Sequence, residues 1–290
     1  MSIQFKSIQD GAHFSATADG GAPFPVGARV KYNANHGLSN DTGYFGSDAA
    51  KLQLYNAADY EAVHPFWASF IEPTAICEGQ SFISLNTYDR AHFTFGFAQF
   101  AAHVPDGDFI LWFRDVLERP EAADYFPDLK VQGGRIVKVA GGTTTAMETQ
   151  ATTQPLQLYL NPNLVDVDDA EVIAAARLIH WHTNLPAVRQ LQVDHMVATA
   201  LGLVKRVDNN AGLDGRTADL CCIAMDVLHQ GRGSMGELKA ALGSPTPFDS
   251  LLKVGAAGQP DRVTNLTKAL QTRRAKLQTK KWSRAAGNFV

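Results

Sequence analysis

Apolar residues recur at helical spacing through most of the chain beyond residue 165. Start signals predict a series of helices there, beginning near Asp166, Asn184, Thr217, Ser234 and Asp261. Ser234 and Glu237 have the spacing of a capping box, and Gly243 is the residue type that commonly follows a helix end. The second half of the chain is therefore predicted to be almost entirely helical.

The first half of the chain has a weaker and changing pattern. Residues 1–46 are rich in Gly, Asn, Asp and Ser, which predicts loop with a few short strands. Helices are predicted at residues 47–55, from Pro73 to a stop near Gly79, and over residues 106–124. Residues 131–163 carry Gly-Gly pairs and Thr-rich runs, which predict a surface excursion or a junction between lobes.

Between Gly79 and residue 106 the period becomes that of a strand. Phe93, Phe95 and Phe97 alternate with smaller or polar residues, and this favours an aromatic face in the core over a sugar-stacking platform. The coarse prediction is an α+β fold, mostly α, with a small β element near residues 84–100. Its predicted parts are an N-terminal loop and strand segment, residues 1–46, and one larger domain, residues 47–290.

Composition and charge narrow the class of protein. Hydrophobic residues make up 45% and charged residues 19% of the chain, which is ordinary for a folded protein. The net charge of −3 argues against a protein that binds nucleic acid. A local exception is a group of C-terminal cations, namely Lys268, Arg273, Arg274, Lys276, Lys280, Lys281 and Arg284. We interpret this group as a solvated helix face, with contact to an anionic polymer as the alternative.

Cysteine and hydropathy patterns indicate where the protein is made. The chain has 3 cysteines, and the adjacent Cys221 and Cys222 suit neither a disulfide framework nor tetrahedral metal ligation. We expect reduced, mostly buried thiols. Residues 1–20 lack the positive and apolar regions of a Sec-type signal, and no apolar run has the ~18 residues of a membrane span. We therefore expect a protein made in the cytoplasm and not inserted into a membrane.

Two carboxylates, Glu78 and Asp89, have predicted settings that differ. Glu78 falls at a helix C-terminus beside Ile76, where the helix dipole and apolar neighbours both favour a protonated carboxyl. Asp89 falls on a turn that enters a strand, where a polar, solvated setting favours the ionised form. Carboxyls that differ in this way can divide acid and base roles across a glycosidic bond. Thr94 carries a hydroxyl that could position a water on the far face of the sugar.

The order Glu78-Gly79, then Tyr88-Asp89, then Phe93-Thr94-Phe95-Gly96 resembles the catalytic stretch of phage-type lysozymes. The chitosanases of the same lysozyme-like superfamily carry a similar set of Glu, Asp and Thr. The resemblance covers about residues 75–100 and implies a lysozyme-like fold with two lobes around a substrate cleft. It also implies that Glu78 is the acid, Asp89 the second carboxylate and Thr94 a residue that places the water, with Tyr88 among the substrate-binding residues.

The chain departs from the phage-lysozyme pattern at one point and resembles the chitosanases at another. Phage-type lysozymes usually have Gly-x-Gly-His where this chain has Gly96-Phe97-Ala98-Gln99. The glutamine at position 99 instead resembles the pattern of lytic transglycosylases. Residues 224–231 are similar to the helix end that carries Asp, Gln and Gly in the helical lobe of chitosanases. Gln99 and Asp226 therefore join Tyr88 as candidate substrate-binding residues.

Other polar residues are better explained by structure than by chemistry. Glu72 is a rival acid, but a Glu directly before a proline is typical of a helix start. His180 and His182 would point to nearly opposite faces of a helix, so a shared metal ion is not expected. Asp226 and His229 lie one helical turn apart, and a structural pair is the favoured interpretation. The sequence requires no metal and no organic cofactor.

The predicted activity is hydrolysis of the β-1,4-linked glycan strands of peptidoglycan, a muramidase activity. The alternatives are hydrolysis of chitosan or a related glucosamine polymer, and a non-catalytic wall-binding or structural protein of a phage or secretion apparatus. The missing Sec-type signal predicts delivery by a phage lysis system, a phage tail or a contractile secretion machine that injects an antibacterial effector. The expected partners are the amino-sugar polymer, such delivery machinery and an immunity or inhibitor protein.

Overall fold

The computed structural model describes residues 2–40 and 53–290. The fold is a mixed α+β one, as predicted, with more strand than a single small hairpin. The chain divides into two compact units. The first comprises residues 1–54 and 79–195, and the second comprises residues 55–78 and 196–290. The helix predicted at residues 47–55 lies mainly outside the described residues, and residues 53–55 are not helical.

An antiparallel sheet, in which the described strands follow one another in chain order, runs through the first unit. Its strands are β1 (Phe5–Asp10), β2 (His13–Ala18), β3 (Phe24–Tyr32), β4 (Asn35–Ser39), β5 (Leu85–Asn86), β6 (Thr94–Phe95) and β7 (Phe100–Ala101). Ser39 on β4 pairs with Asn86 on β5. The N-terminal strands and the segment that carries Asp89 therefore belong to one sheet.

The N-terminal segment is more regular than the sequence predicts. In place of loop with a few short strands, its described residues form four paired strands, because its Gly and Asn residues mark hairpin turns rather than irregular chain. Gly11 and Asn33 lie in these turns with φ angles of +59° and +56°. Phe14 and Ala16 on β2 are buried, whereas His13, Ser15 and Thr17 are less so, which is the pattern of a half-buried strand.

The predicted surface excursion, residues 131–163, contains regular structure. Strands β8 (Leu129–Gln132), β9 (Arg135–Ala140) and β10 (Thr143–Ala146) form an antiparallel sheet, and its hairpin turns are the Gly-Gly pairs at 133–134 and 141–142. The helices of this unit are α2 (Asp108–Leu117), α3 (Ala122–Tyr125), α4 (Gln154–Leu160) and α5 (Asp169–Asn184). The single helix predicted over residues 106–124 is divided into α2 and α3, because Pro120 between them cannot donate a backbone hydrogen bond.

The second unit is built mainly from helices. These are α1 (Trp67–Cys77), α7 (Ala218–His229), α8 (Met235–Leu242), α9 (Pro247–Lys253) and α10 (Pro260–Leu277), with a hairpin of β11 (Trp282–Ser283) and β12 (Asn288–Phe289). Helix α6 (Pro186–Ala211) starts in the first unit and continues into this one. No helix of residues 2–40 and 53–290 is long and apolar enough to cross a membrane.

Helix α1 lies at the centre of the second unit. It packs against α7 and α10, and its residues from Trp67 to Ala75 are all buried. The prediction of a helix that starts at Pro73 is wrong, since both Glu72 and Pro73 lie inside α1. Packing on several sides outweighs the backbone hydrogen bond that proline removes.

The predicted helix caps are confirmed where the structure describes them. Asp168 Oδ1 accepts a hydrogen bond of 2.9 Å from the Glu171 N–H at the start of α5. Ser234 and Glu237 form both hydrogen bonds of the capping box, and α8 ends at Gly243. Local polar residues at these ends therefore determine where the helices begin and stop.

Gly96 is held where a side chain would not fit. Its φ angle is +90°, and a Cβ atom there would overlap the amide of Gln192. That amide accepts a hydrogen bond from the Phe97 N–H (3.1 Å) and donates one to the Phe82 carbonyl (3.0 Å). Gln192 thus ties the segment after β6 to α6.

We expect Gly96→Ala to lower the free energy of unfolding. An alanine with a left-handed backbone conformation costs ~1–2 kcal/mol, and the loss should exceed this because Gln192 must also move. Urea denaturation measures this loss. Gly142→Ala is the matched control, since Gly142 has a φ of +80° and no atom near the added Cβ. Equal losses in the two variants would contradict the role of Gln192.

Candidate functional site

Glu78 lies at the C-terminus of α1, where the sequence predicts it. It is the C-cap residue, and Gly79 follows with a φ angle of +86°. The Glu78 side chain is 11% exposed. Its neighbours are charged and polar rather than apolar as predicted, and they come from α7 and α10 of the second unit.

Arg262 connects Glu78 to Asp226. Its Nη1 atom lies 2.8 Å from Glu78 Oε1, and its Nη2 atom lies 2.7 Å from Asp226 Oδ1. Burial lowers the pKa of Arg262, but the carboxylates of Asp226 and Glu78 outweigh this and hold the pKa above its ordinary value. The guanidinium therefore stays charged and fixes both carboxylates at once.

Asp226 is the buried centre of this cluster. Its side chain is 0% exposed. It also accepts a hydrogen bond of 3.1 Å from the Thr74 hydroxyl, and its Oδ2 atom lies 3.5 Å from Arg232 Nη2. The cluster of Glu78, Asp226, Arg232 and Arg262 thus pairs its carboxylates with an equal number of guanidinium groups. The two guanidinium groups beside Asp226 offset the cost of burying its side chain.

The remaining neighbours of Glu78 favour one of its two oxygens. Gln230 donates a hydrogen bond to Oε1, and His229 Nε2 lies 3.8 Å from the same atom. Arg262 also contacts Oε1, so every polar contact of this carboxylate with the described residues is made there. The Oε2 atom therefore makes no polar contact with the described residues.

Asp89 lies in a tight turn of the first unit. Its Oδ1 atom accepts a hydrogen bond of 2.9 Å from the Ala91 N–H, and its carbonyl accepts one of 3.0 Å from the His92 N–H. The buried Asn161 side chain holds both ends of this turn, because its Nδ2 atom donates to the carbonyls of Thr87 (2.9 Å) and His92 (3.0 Å). The backbone around Asp89 is therefore fixed from outside the turn.

Glu171 holds the same turn through Thr87. Its Oε1 atom accepts hydrogen bonds from the Thr87 hydroxyl and, at 3.2 Å, from the Leu38 N–H. Its Oε2 atom is buried without a partner among the described residues. Burial raises the pKa of Glu171 to about 7, although these hydrogen bonds act in the opposite direction.

We expect the free energy of unfolding to fall as the pH rises from about 4 to about 7, because Glu171 then ionises. The unfolded carboxyl has a pKa near 4.3, so folding favours the protonated form, and its contribution is complete below about pH 4 and lost by about pH 7. The loss corresponds to about 4 kcal/mol for Glu171. Denaturation at several pH values should show the slope in the wild type. Glu171→Gln keeps the Oε1 acceptor and cannot ionise, so an unchanged slope in that variant would contradict the assignment.

The other predicted residues of this segment have structural contacts. Thr94 is 5% exposed and lies on β6, opposite Asn86. Gln99 donates hydrogen bonds to the Ser84 hydroxyl (2.8 Å) and the Gly96 carbonyl (3.1 Å). Tyr88 is half-buried, and its carbonyl accepts a hydrogen bond of 3.3 Å from Asn35. The predicted core position of Phe93, Phe95 and Phe97 is confirmed, since all three are fully buried.

His103 is a neighbour of Asp89 that the sequence analysis misses. Burial and the positive charge of Arg90 lower the pKa of His103, while Asp89 raises it. Its Nδ1 atom is buried without a partner among the described residues. The neutral imidazole is therefore favoured beside Asp89.

The histidines and cysteines that were predicted to have structural roles are buried or hydrogen-bonded within the protein. His182 is fully buried with Nδ1 2.7 Å from the Leu178 carbonyl, and His180 Nδ1 lies 3.1 Å from the Tyr125 hydroxyl. Within the described residues, no group of three His, Cys, Asp or Glu side chains is placed to hold a metal ion. Cys77, Cys221 and Cys222 form no disulfide, and the latter two are buried.

The C-terminal cations are mostly paired within the second unit. Arg273, Arg274, Lys276 and Arg284 bind Glu72, Asp219, Glu61 and Asp208, respectively. All four side chains remain 41–57% exposed, which fits the interpretation as a solvated face, although Arg284 lies beyond the end of α10. Glu72 is 3% exposed and contacts Arg273 through both oxygens, which accounts for its burial in α1.

The predicted site residues thus fall into two sets. Glu78 and Asp226 meet through Arg262 in the second unit, while Tyr88, Asp89, Thr94 and Gln99 lie on one segment of the first. Arg262, Asn161 and Glu171 were not predicted, because each acts on a residue far away in the sequence. Comparison of the chain with protein-family models, with curated proteins and with solved structures found no match.

Proposed function

We propose that the protein is a glycoside hydrolase that cleaves the β-1,4 bonds of peptidoglycan glycan strands, with Glu78 as the general acid. The observation that carries this proposal is the way Glu78 is held. Arg262 and Gln230 both bind its Oε1 atom, and the side chain is 11% exposed at a helix end. A general acid needs such a fixed carboxyl with one oxygen available to the leaving group.

In this reaction Glu78 Oε2 gives its proton to the glycosidic oxygen as the bond to the anomeric carbon breaks. Negative charge then develops on the Glu78 carboxylate, and Arg262 at 2.8 Å stabilises it. Asp89 keeps the role of the second carboxylate, which either assists a water or stabilises the oxocarbenium-like centre. Thr94 keeps the role of placing that water.

A second candidate is hydrolysis of chitosan or a related glucosamine polymer. A specific observation favours it: Asp226 and Gln230, from the stretch that resembles chitosanases, both lie beside Glu78. Asp226 is bound to the arginine that holds Glu78, and Gln230 contacts Glu78 directly. This supports the same acid acting on either amino-sugar polymer.

The two polymers are distinguished by digesting purified sacculi and soluble chitosan side by side and measuring new reducing ends. Release from sacculi at the higher rate supports the muramidase proposal, and release from chitosan alone supports the second candidate. Binding to sacculi without new ends from either polymer would overturn both and favour the non-catalytic wall-binding protein.

A further inference from the structure

An exposed aromatic pair lies beside the turn that carries Asp89. Tyr32, at the end of β3, is 50% exposed, and its ring centroid lies 5.4 Å from that of Tyr88 with an angle of 38° between the rings. Tyr88 directly precedes Asp89 in the chain. Two tyrosine rings therefore lie together at the surface of the first unit, next to a predicted catalytic carboxylate.

The pair is held by the backbone of the sheet. Tyr32 pairs with Asn35 across the β3–β4 turn, and Asn35 Nδ2 donates a hydrogen bond of 3.3 Å to the Tyr88 carbonyl. The Thr87 N–H donates one of 3.1 Å to the Leu38 carbonyl on β4. The hairpin with Tyr32 is thus bound to the segment with Tyr88, so the two rings stay near each other without a ligand.

We propose that Tyr32 and Tyr88 form a binding subsite for one pyranose ring of the amino-sugar polymer, next to the sugar at which Asp89 acts. A tyrosine ring offers a flat apolar face to the C–H groups of a sugar and a hydroxyl to its polar substituents. Two such rings held in place lose little side-chain entropy on binding. The subsite rests on the proposed function for its substrate class, and it gives the N-terminal strands a role in binding.

The experiment measures binding rather than turnover. An N-acetylglucosamine hexamer is titrated into Glu78→Gln, the parent in which cleavage is slowed. The same titration is made with Tyr32→Ala, Tyr32→Phe and Leu158→Ala, each introduced into that parent. We expect Tyr32→Ala to bind about three- to tenfold more weakly, from the loss of one aromatic contact. Tyr32→Phe, which keeps the ring, should bind within about twofold of the parent. Leu158 is a control, since it is an exposed apolar residue of the same unit at 44% exposure.

The outcomes separate this subsite from the proposed reaction. One outcome is that the wild type hydrolyses the polymer while Tyr32→Ala binds the hexamer as tightly as its parent does. That result would overturn the subsite and leave the proposed function standing. Weaker binding by Tyr32→Ala in a protein that cleaves no polymer would support the subsite and overturn the hydrolase. No binding of the hexamer by the parent would overturn the subsite.

Discussion

Glu78→Gln should lower the rate of glycan hydrolysis by about 10²- to 10⁴-fold, which is the usual contribution of a general acid. Glutamine has the same shape and keeps an oxygen for Arg262 and Gln230, so the fold should remain. It has no proton to give to the leaving oxygen. The rate of appearance of reducing ends, with circular dichroism to check folding, measures the effect.

Glu72→Gln is the matched control for that variant. Glu72 is also a buried glutamate of α1 with an arginine partner, Arg273, and it is the rival acid in the sequence. The control should lose stability and keep its rate. A large loss of rate in Glu72→Gln with a normal rate in Glu78→Gln would exchange the two assignments.

Asp226→Ala should lower the free energy of unfolding by about 3–5 kcal/mol, the usual cost of removing one partner from a buried ion pair. Asp226 contacts Arg262 and Arg232, whose side chains are only 10% and 1% exposed. Neither guanidinium can regain water easily once the carboxylate is gone. Denaturation by urea measures the change.

Asp219→Ala is the control on the same helix. Asp219 is buried like Asp226, but its partner Arg274 is 44% exposed and can be solvated when the carboxylate is removed. The control should therefore cost less than Asp226→Ala. Equal costs would show that the buried arginines are not what makes Asp226 important.

Local signals in the sequence predicted local structure well. The cap of Asp168, the capping box of Ser234 and Glu237, and the end of α1 at Glu78 all depend on residues within a few positions of one another. The N-terminal strands were underpredicted because the sheet is completed by strands β5–β7, some fifty residues further along the chain. Strand formation depends on such partners more than helix formation does.

The candidate site was predicted only as far as its motif reaches. Glu78 and Asp89 belong to one short stretch, whereas Arg262 is 184 positions from Glu78 and Asn161 is 74 positions from Thr87. An arginine on a helix and an asparagine after one carry no local mark of these contacts. The predicted apolar setting of Glu78 failed for this reason, since its polar neighbours come from distant helices.

The most direct test of the central claim is to incubate purified sacculi with the wild type and with Glu78→Gln, and to identify the released fragments by mass spectrometry. The account predicts muropeptides with reducing ends from the wild type and almost none from the variant. Equal release by the two proteins would contradict Glu78 as the acid, and fragments with anhydro ends would contradict hydrolysis.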